Sequence, residues 1–120
     1  MAAPNIVNVA TITGITTGRH LTTTLTTMLL TNVASSNKVF KVNSVIVSNV
    51  DGSSAADLTL SYNDGSSTHK IANTVSVPAD STLVAVDKNA AIYLEEGCSL
   101  LGGASANGDL EAVITYEEIS

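Results

Sequence analysis

Residues 38–65, KVFKVNSVIVSNVDGSSAADLTLSYNDG, form the densest run of strand-forming residues in this chain. From Val39 to Val50 nearly every residue is β-branched, aromatic or small and polar, a composition that fits a pleated and half-buried surface. After a turn at Asp51-Gly52, the leucines and the tyrosine of residues 58–62, LTLSY, recur at every second position and share one face. Asp64-Gly65 ends this segment. The stretch predicts two strands, joined as a central hairpin, with one buried face.

Beyond this hairpin, short apolar segments alternate with turn residues at near-regular spacing. Pro78 lacks the N–H that a central strand needs, and we expect it at an edge or a corner. Asn107-Gly108 is the strongest two-residue hairpin signal, because both central positions of a type I′ turn need positive φ. Further strands are predicted at Thr68–Ala72, Val75–Val77, Thr82–Val86, Ile92–Leu94, Ser99–Ser105 and Leu110–Glu117.

About eight short strands separated by turns predict an all-β fold, a single antiparallel β-sandwich with a jelly-roll-like topology. A small closed β-barrel is the alternative. Residues on the apolar faces of the predicted strands should form the core. This predicted core consists of Phe40, Val42, Leu58, Leu60, Tyr62, Val84, Leu110, Ile114 and Tyr116.

Length and composition favour one structural domain. A chain of 120 residues has room for a single domain. Hydrophobic residues make up 44% and charged residues 13%, a balance that is unusual for an enzyme and ordinary for an all-β structural module. The net charge is -6, and the five basic residues are scattered. Direct nucleic-acid binding is not expected, because it needs clustered Lys and Arg side chains.

Neither membrane insertion nor export is indicated. No apolar run approaches the ~18 residues of a transmembrane helix. The N-terminal sequence MAAPNIVNVATITG lacks the basic region and the long apolar core of a signal peptide. The sequence therefore predicts no membrane partner, and synthesis in the cytoplasm before assembly into something larger.

Residues 1–37 differ from the 38–120 sandwich core, because they are rich in Thr and carry Arg19 as their only charged side chain. One interpretation is that they form ordinary strands at Ile6–Thr13 and Leu21–Leu30, with a bend at Gly14 and Gly18. The other is that part of this arm packs on a neighbouring subunit, since weakly charged edges invite strand pairing. The candidate interface residues are Ile6, Val7, Val9, Ile12, Thr22, Thr24, Thr26 and Met28.

No residue group in the sequence indicates catalysis, a cofactor or a metal site. His20 and His69 are far apart, with no acid or Cys at the spacing of a zinc motif. Cys98 has no basic neighbour that would lower its pKa, so we expect a buried, inert thiol. The many Ser residues lie in turn clusters without a G-x-S-x-G elbow. Tyr93 is the one aromatic residue outside the predicted core faces, which disfavours a carbohydrate platform.

Five short motifs carry a family resemblance, namely Ser48–Gly52, Val77–Ala79, Tyr93–Gly97, Ala104–Ala106 and Tyr116–Glu118. In their order along residues 38–120, they resemble a family of small virion structural proteins from tailed bacteriophages, especially phages of marine cyanobacteria. The Thr-rich arm resembles that family only loosely. Because the motifs consist of turn and strand residues, they specify a fold family better than a task.

The resemblance implies a non-enzymatic component of the virion, built as a β-sandwich. The leading expectation is a capsid decoration or cement protein on the outer surface of the head. Its partners would be the major capsid protein or other virion proteins, and copies of itself. An acidic chain suits the outside of a shell better than the side that faces DNA. The alternatives are a neck, collar or tail-associated protein, and a host-surface or glycan-binding module.

Overall fold

The computed structural model describes residues 10–120. They form nine β-strands and one turn of 3-10 helix at Lys88–Ala90. No helix in that range is long and apolar enough to cross a membrane. The strands are β1 (Ile12–His20), β2 (Met28–Thr31), β3 (Val39–Asn49), β4 (Ala56–Asn63), β5 (Thr68–Val77), β6 (Thr82–Val86), β7 (Ile92–Leu94), β8 (Ser99–Ala104) and β9 (Leu110–Ile119).

The strands form two antiparallel sheets that pack face to face. The five-stranded sheet has the order β1-β9-β3-β6, with β7 also paired to β3, and the four-stranded sheet has the order β2-β8-β4-β5. The pairs β1–β9, β2–β8, β3–β6 and β4–β5 are nested within one another along the chain. Nested pairs shared between two sheets are the arrangement of a jelly roll. The predicted sandwich is therefore confirmed, and the alternative of a single closed barrel is wrong.

Strand β3 lies at the centre of the five-stranded sheet. On one side it pairs with β9 over almost its whole length, and on the other side it pairs with β6 and β7. Val42, Val45 and Val47 point between the sheets and are fully buried. Its strand-forming composition fits this position, because β-branched side chains pack well on a pleated surface with neighbours on both sides.

Most of the predicted core is confirmed. Tyr62 is only partly buried, at the rim of the core. Val84 was assigned to the wrong face, and 55% of its surface is exposed. A register shift between β3 and β6 turns Leu83 and Val86 inward and leaves Val84 outward, opposite Ile46. The buried members are Phe40, Val42, Leu58, Leu60, Leu110, Ile114 and Tyr116.

Two of the predicted hairpins are wrong. Strands β3 and β4 lie in different sheets, so Asp51-Gly52 belongs to a connection that crosses the sandwich. Asn107-Gly108 likewise lies in a connection between the two sheets, from β8 to β9. Only Gly108 of this pair has positive φ, so the turn is not type I′. Asp64-Gly65, by contrast, joins the paired strands β4 and β5. Turn residues mark where the chain reverses, but the nested pairing decides which strands become neighbours.

The segments before and after β1 also depart from the predicted boundaries. No bend occurs at Gly14 or Gly18, because both lie within β1 and the β9 ladder holds them extended. The strand expected at Leu21–Leu30 is a loop as far as Thr27, and only its end belongs to β2. The two short strands expected around residue 73 are one strand, β5, with positive φ at Thr74.

Buried asparagines hold two of the connections in place. The Asn49 side-chain amide donates to the carbonyl oxygens of Ser54 and Val77, at 2.9 and 2.8 Å. The Asn32 amide donates to the carbonyl oxygens of Lys38 and Leu94, at 2.8 and 3.0 Å. Each buried amide thereby satisfies one buried and one partly buried backbone carbonyl.

Replacing Leu60 or Ile114 by Ala should lower the free energy of unfolding by about 2–5 kcal/mol, because each side chain is fully buried between the sheets. Urea denaturation monitored by circular dichroism measures the loss. Val84→Ala is the control, and its exposed position predicts a change within about 0.5 kcal/mol. Equal losses in all three variants would contradict the assigned faces.

Candidate interaction surface

Strand β1 is an exposed edge of the five-stranded sheet. Among the strands of residues 10–120, only β9 pairs with it. Seven of its nine residues are exposed, and the other two, Ile15 and Thr17, are only half-buried. Ile12, at its start, exposes 56% of its surface to solvent. The strand is therefore held mainly by its ladder with β9 and contributes little to the core.

The register shows which backbone groups of β1 point away from β9. Thr11 and Ser120 exchange two hydrogen bonds at 2.9 and 3.0 Å, and Leu21 donates its N–H to Leu110 at 2.9 Å. Because hydrogen-bonded pairs alternate along an antiparallel ladder, the odd-numbered residues of β1 bond to β9. The N–H and C=O groups of the even-numbered residues point to the open side, and these residues are Ile12, Gly14, Thr16, Gly18 and His20.

The other sheet edges of the described chain carry features that discourage pairing. Strands β6 and β7 have five and three residues, and β2 has four with a register shift. Strand β5 has two register shifts, positive φ at Thr74 and an exposed Lys70. Short length, irregular register and charge all protect edges from added strands. Strand β1 has nine residues in unbroken register, and Arg19, its one Lys or Arg, lies near its C-terminal end.

The side of the five-stranded sheet that faces away from the core is weakly charged; we call it the outer face. Register places Gly18, Val113, Ile46 and Val84 in one row across four strands. Val113 and Val84 expose 41% and 55% of their surfaces. Ser and Thr residues form the neighbouring row on one side, and on the other side Ser48 and Thr82 are followed by Glu111 and His20. The outer face consists of Thr16, Gly18, Ser44, Ile46, Ser48, Thr82, Val84, Val113 and Thr115.

Hydroxyl groups tie neighbouring strands together across the outer face. The hydroxyls of Thr16 and Thr115 lie 3.3 Å apart, and those of Ser48 and Thr82 lie 3.4 Å apart. Charged residues lie at both ends of this surface: Lys41 is paired in register with Glu117 at one end, and Glu111 lies between His20 and Ser48 at the other. The centre of the outer face is therefore a surface of small uncharged side chains, which another protein can cover without desolvating charges.

A groove of about 470 Å³ lies between the two sheets beside the open edge. Thr17, Gly18 and Arg19 of β1 form one wall, and residues 28–31 of β2 form the other. The hydroxyl oxygen of Thr31 is buried there, with no hydrogen-bond partner among the described residues. The groove thus leaves a gap between the two sheets on the β1 side.

The loop from Thr22 to Thr27 folds back on the four-stranded sheet. Thr22 and Thr27 accept hydrogen bonds from the N–H groups of Ala104 and Gly102, at 2.8 and 2.9 Å. Between these anchors the backbone crosses over Gly103, where a Cβ atom would lie 2.6 Å from the carbonyl oxygen of Thr24. Gly103 is thus required by the close approach of the loop.

The predicted interface residues fall in three different places. Ile12 lies on the open edge of β1, and Met28, at the start of β2, exposes 58% of its surface beside the groove. Thr22, Thr24 and Thr26 are exposed on the loop, whose backbone is hydrogen-bonded to the four-stranded sheet. Ile6, Val7 and Val9 lie outside the described residues. The structure adds the outer face, which sequence analysis missed because its rows cross strands that are far apart in the chain.

Each of the two histidines lies close to one carboxylate. His20 Nδ1 lies 3.1 Å from a carboxylate oxygen of Glu111, and His69 Nε2 lies 3.8 Å from one of Asp64. Hydrogen bonds from the backbone of Ser67 and Ser66 hold the pKa of Asp64 below its usual value. No group of three or more His, Cys, Asp and Glu residues in the described range could hold a metal ion.

Cys98 is buried, as the sequence predicted. The Tyr62 hydroxyl donates a hydrogen bond to its Sγ at 3.5 Å. That bond, together with burial, raises the pKa of Tyr62 to about 12. Tyr93 leaves 45% of its surface exposed, on the short strand β7.

The comparisons with known proteins do not identify the chain: no protein-family model, no curated protein and no solved structure matches it. The resemblance to virion structural proteins therefore stays a hypothesis that rests on the sequence motifs.

Gly103→Ala should destabilise the protein by about 1–3 kcal/mol, because the new methyl group would meet the backbone of Thr24 and Leu25 at 2.6 and 2.8 Å. Thermal unfolding and limited proteolysis of the loop at residues 22–27 measure the effect. Gly14→Ala is the matched control, since no atom lies within 4 Å of the added carbon. If both variants behave like the wild type, the loop does not cross Gly103 closely.

Proposed function

We propose that this chain is a structural protein of a bacteriophage virion, and specifically a capsid decoration or cement protein on the outer surface of the head. One observation carries the proposal: the centre of the outer face of the five-stranded sheet is uncharged although the whole chain has a net charge of -6. Such a surface favours contact with another protein, whereas the acidic residues keep the remaining surface solvated.

The resemblance to virion structural proteins indicates the kind of assembly to which the chain would belong. Its motifs lie in elements that build the sandwich, such as the end of β3 at Ser48-Asn49 and the C-terminal half of β9 at Tyr116–Glu118. These motifs support membership of a structural family, and they indicate no group that would take part in a reaction. We therefore propose a role in binding rather than catalysis, with the major capsid protein as the partner of the outer face.

The position proposed for the protein follows from charge. The packaged DNA is an anion, so an acidic protein is repelled from the inner surface of the shell and tolerated on the outer one. A decoration protein gains from repetition, because many weak contacts on a symmetric lattice add up to high occupancy. A neck, collar or tail-associated protein would use the same face in far fewer copies.

Purified particles of the phage that encodes this chain should contain it in a copy number close to that of the major capsid protein. Quantitative gel densitometry or mass spectrometry measures the ratio. A few copies per particle would contradict decoration and favour the neck or tail. Absence from the particle, together with binding of the isolated protein to a glycan array, would favour the host-surface alternative.

Val113→Glu should reduce occupancy on particles that lack the native protein, because it places a charge in the centre of the outer face. Binding of the purified variant, followed by sedimentation of the particles, measures occupancy. The matched control is Val33→Glu, which adds the same charge at a residue that is 62% exposed and lies outside the outer face. Equal binding by both folded variants would exclude the outer face as the contact.

A further inference from the structure

We propose that two copies of this chain associate through their β1 strands, antiparallel and related by a two-fold axis, so that two five-stranded sheets become one continuous sheet. Strand β1 has nine residues in unbroken register with β9, and no strand of the described chain pairs with its other side. This inference goes beyond the proposed role in the virion and does not depend on it.

The open backbone groups of β1 are symmetric about Thr16. The residues that point to the open side, Ile12, Gly14, Thr16, Gly18 and His20, are spaced evenly around it. A two-fold axis between the two Thr16 residues therefore pairs each open residue with one on the second copy. Each such pair exchanges two hydrogen bonds, so five pairs make ten bonds. A second β1 thus satisfies every open N–H and C=O group of the first.

Side chains are compatible with this register. Gly14 lies opposite Gly18 of the second copy, which allows close approach, and Ile15 lies opposite Thr17. Arg19, the only Lys or Arg of the strand, lies opposite Thr13 of the second copy rather than opposite its own equivalent. No two like charges face each other across the junction, and facing like charges would destabilise a strand pair.

The charges next to β1 favour the antiparallel orientation and a second copy as the partner. Glu117 and Glu118 of β9 flank the N-terminal half of β1, beside Gly14 and Thr13. Antiparallel pairing brings Arg19 of the second copy opposite Thr13, on the face of Glu118, a carboxylate that also pairs with Lys38. A parallel arrangement would place the two Arg19 side chains together. Electrostatic complementarity of this kind sets the orientation and register of an interface.

Pairing through β1 would also join the two outer faces. Neighbouring antiparallel strands in one sheet are related by a two-fold axis perpendicular to it, so both outer faces lie on the same side. The apolar row through Gly18, Val113, Ile46 and Val84 then occurs twice on a single surface. A surface of double size engages a repeating lattice through two linked contacts, which raises its effective affinity.

Disulfide trapping tests the register. The two Thr16 residues would have Cα atoms about 5.5 Å apart, within the range of a disulfide. We expect Thr16→Cys to form a covalent dimer in oxidised glutathione, while Thr13→Cys forms no disulfide-linked dimer because its two copies would be about 20 Å apart. Mixing Thr13→Cys with Arg19→Cys should give a cross-linked heterodimer. Native Cys98 is buried and does not interfere.

Sedimentation velocity of the isolated protein gives a second readout. Thr16→Pro removes an N–H that points away from β9, so it should weaken dimerisation at least about tenfold without breaking a backbone hydrogen bond of the fold. The hydroxyl contact of Thr16 with Thr115 is lost in Thr16→Pro and in Thr16→Ala alike. Thr16→Ala keeps the N–H and should dimerise like the wild type. A wild-type protein that is monomeric at every soluble concentration, or equal cross-linking at residues 13 and 16, would overturn the inference. If only particle binding depends on Thr16, then β1 pairs with a shell protein and self-pairing is wrong.

Discussion

The antiparallel pairing of β3 with β9 is the constraint from which the rest of the fold follows. It joins Val39 to Ile119 at one end and Asn49 to Leu110 at the other, so the middle of the chain is fixed against its C-terminal strand. With this pair in place, β1 can only add outside β9, while β6 and β7 add outside β3. Of the strands that lie between β3 and β9 in sequence, β4, β5 and β8 belong to the second sheet, which together with β2 closes the core.

Packing on both faces of the second sheet depends on two glycines. A Cβ at Gly102 would lie 2.8 Å from a methyl group of Leu29, and one at Gly103 would meet the loop backbone. The two adjacent glycines thus let the core pack tightly on one face and let the loop at residues 22–27 cross the other. This loop explains why Thr59, which alternation places on the wet face of β4, is 2% exposed. The loop, rather than solvent, covers this face of β4.

The same fold leaves one side open. Strand β1 has neither the short length nor the irregular register of the other edges, and the groove beside it runs down to β2. Its contribution to the core is small, so the length and regularity of the strand are not explained by stability within one chain. An edge with these properties is a template for adding another strand.

The sequence by itself determined the strand content, the positions of most turns and the inward face of the strands with strict alternation, such as LTLSY at residues 58–62. These features are local, because a period of two and a turn residue act within a few residues. Only the tertiary structure decided that Asn107-Gly108 crosses between sheets, that Val84 points outward and that Gly18, Val113, Ile46 and Val84 share a row. Each of these depends on which distant strands pair and in what register, and that choice is made by packing of the whole core.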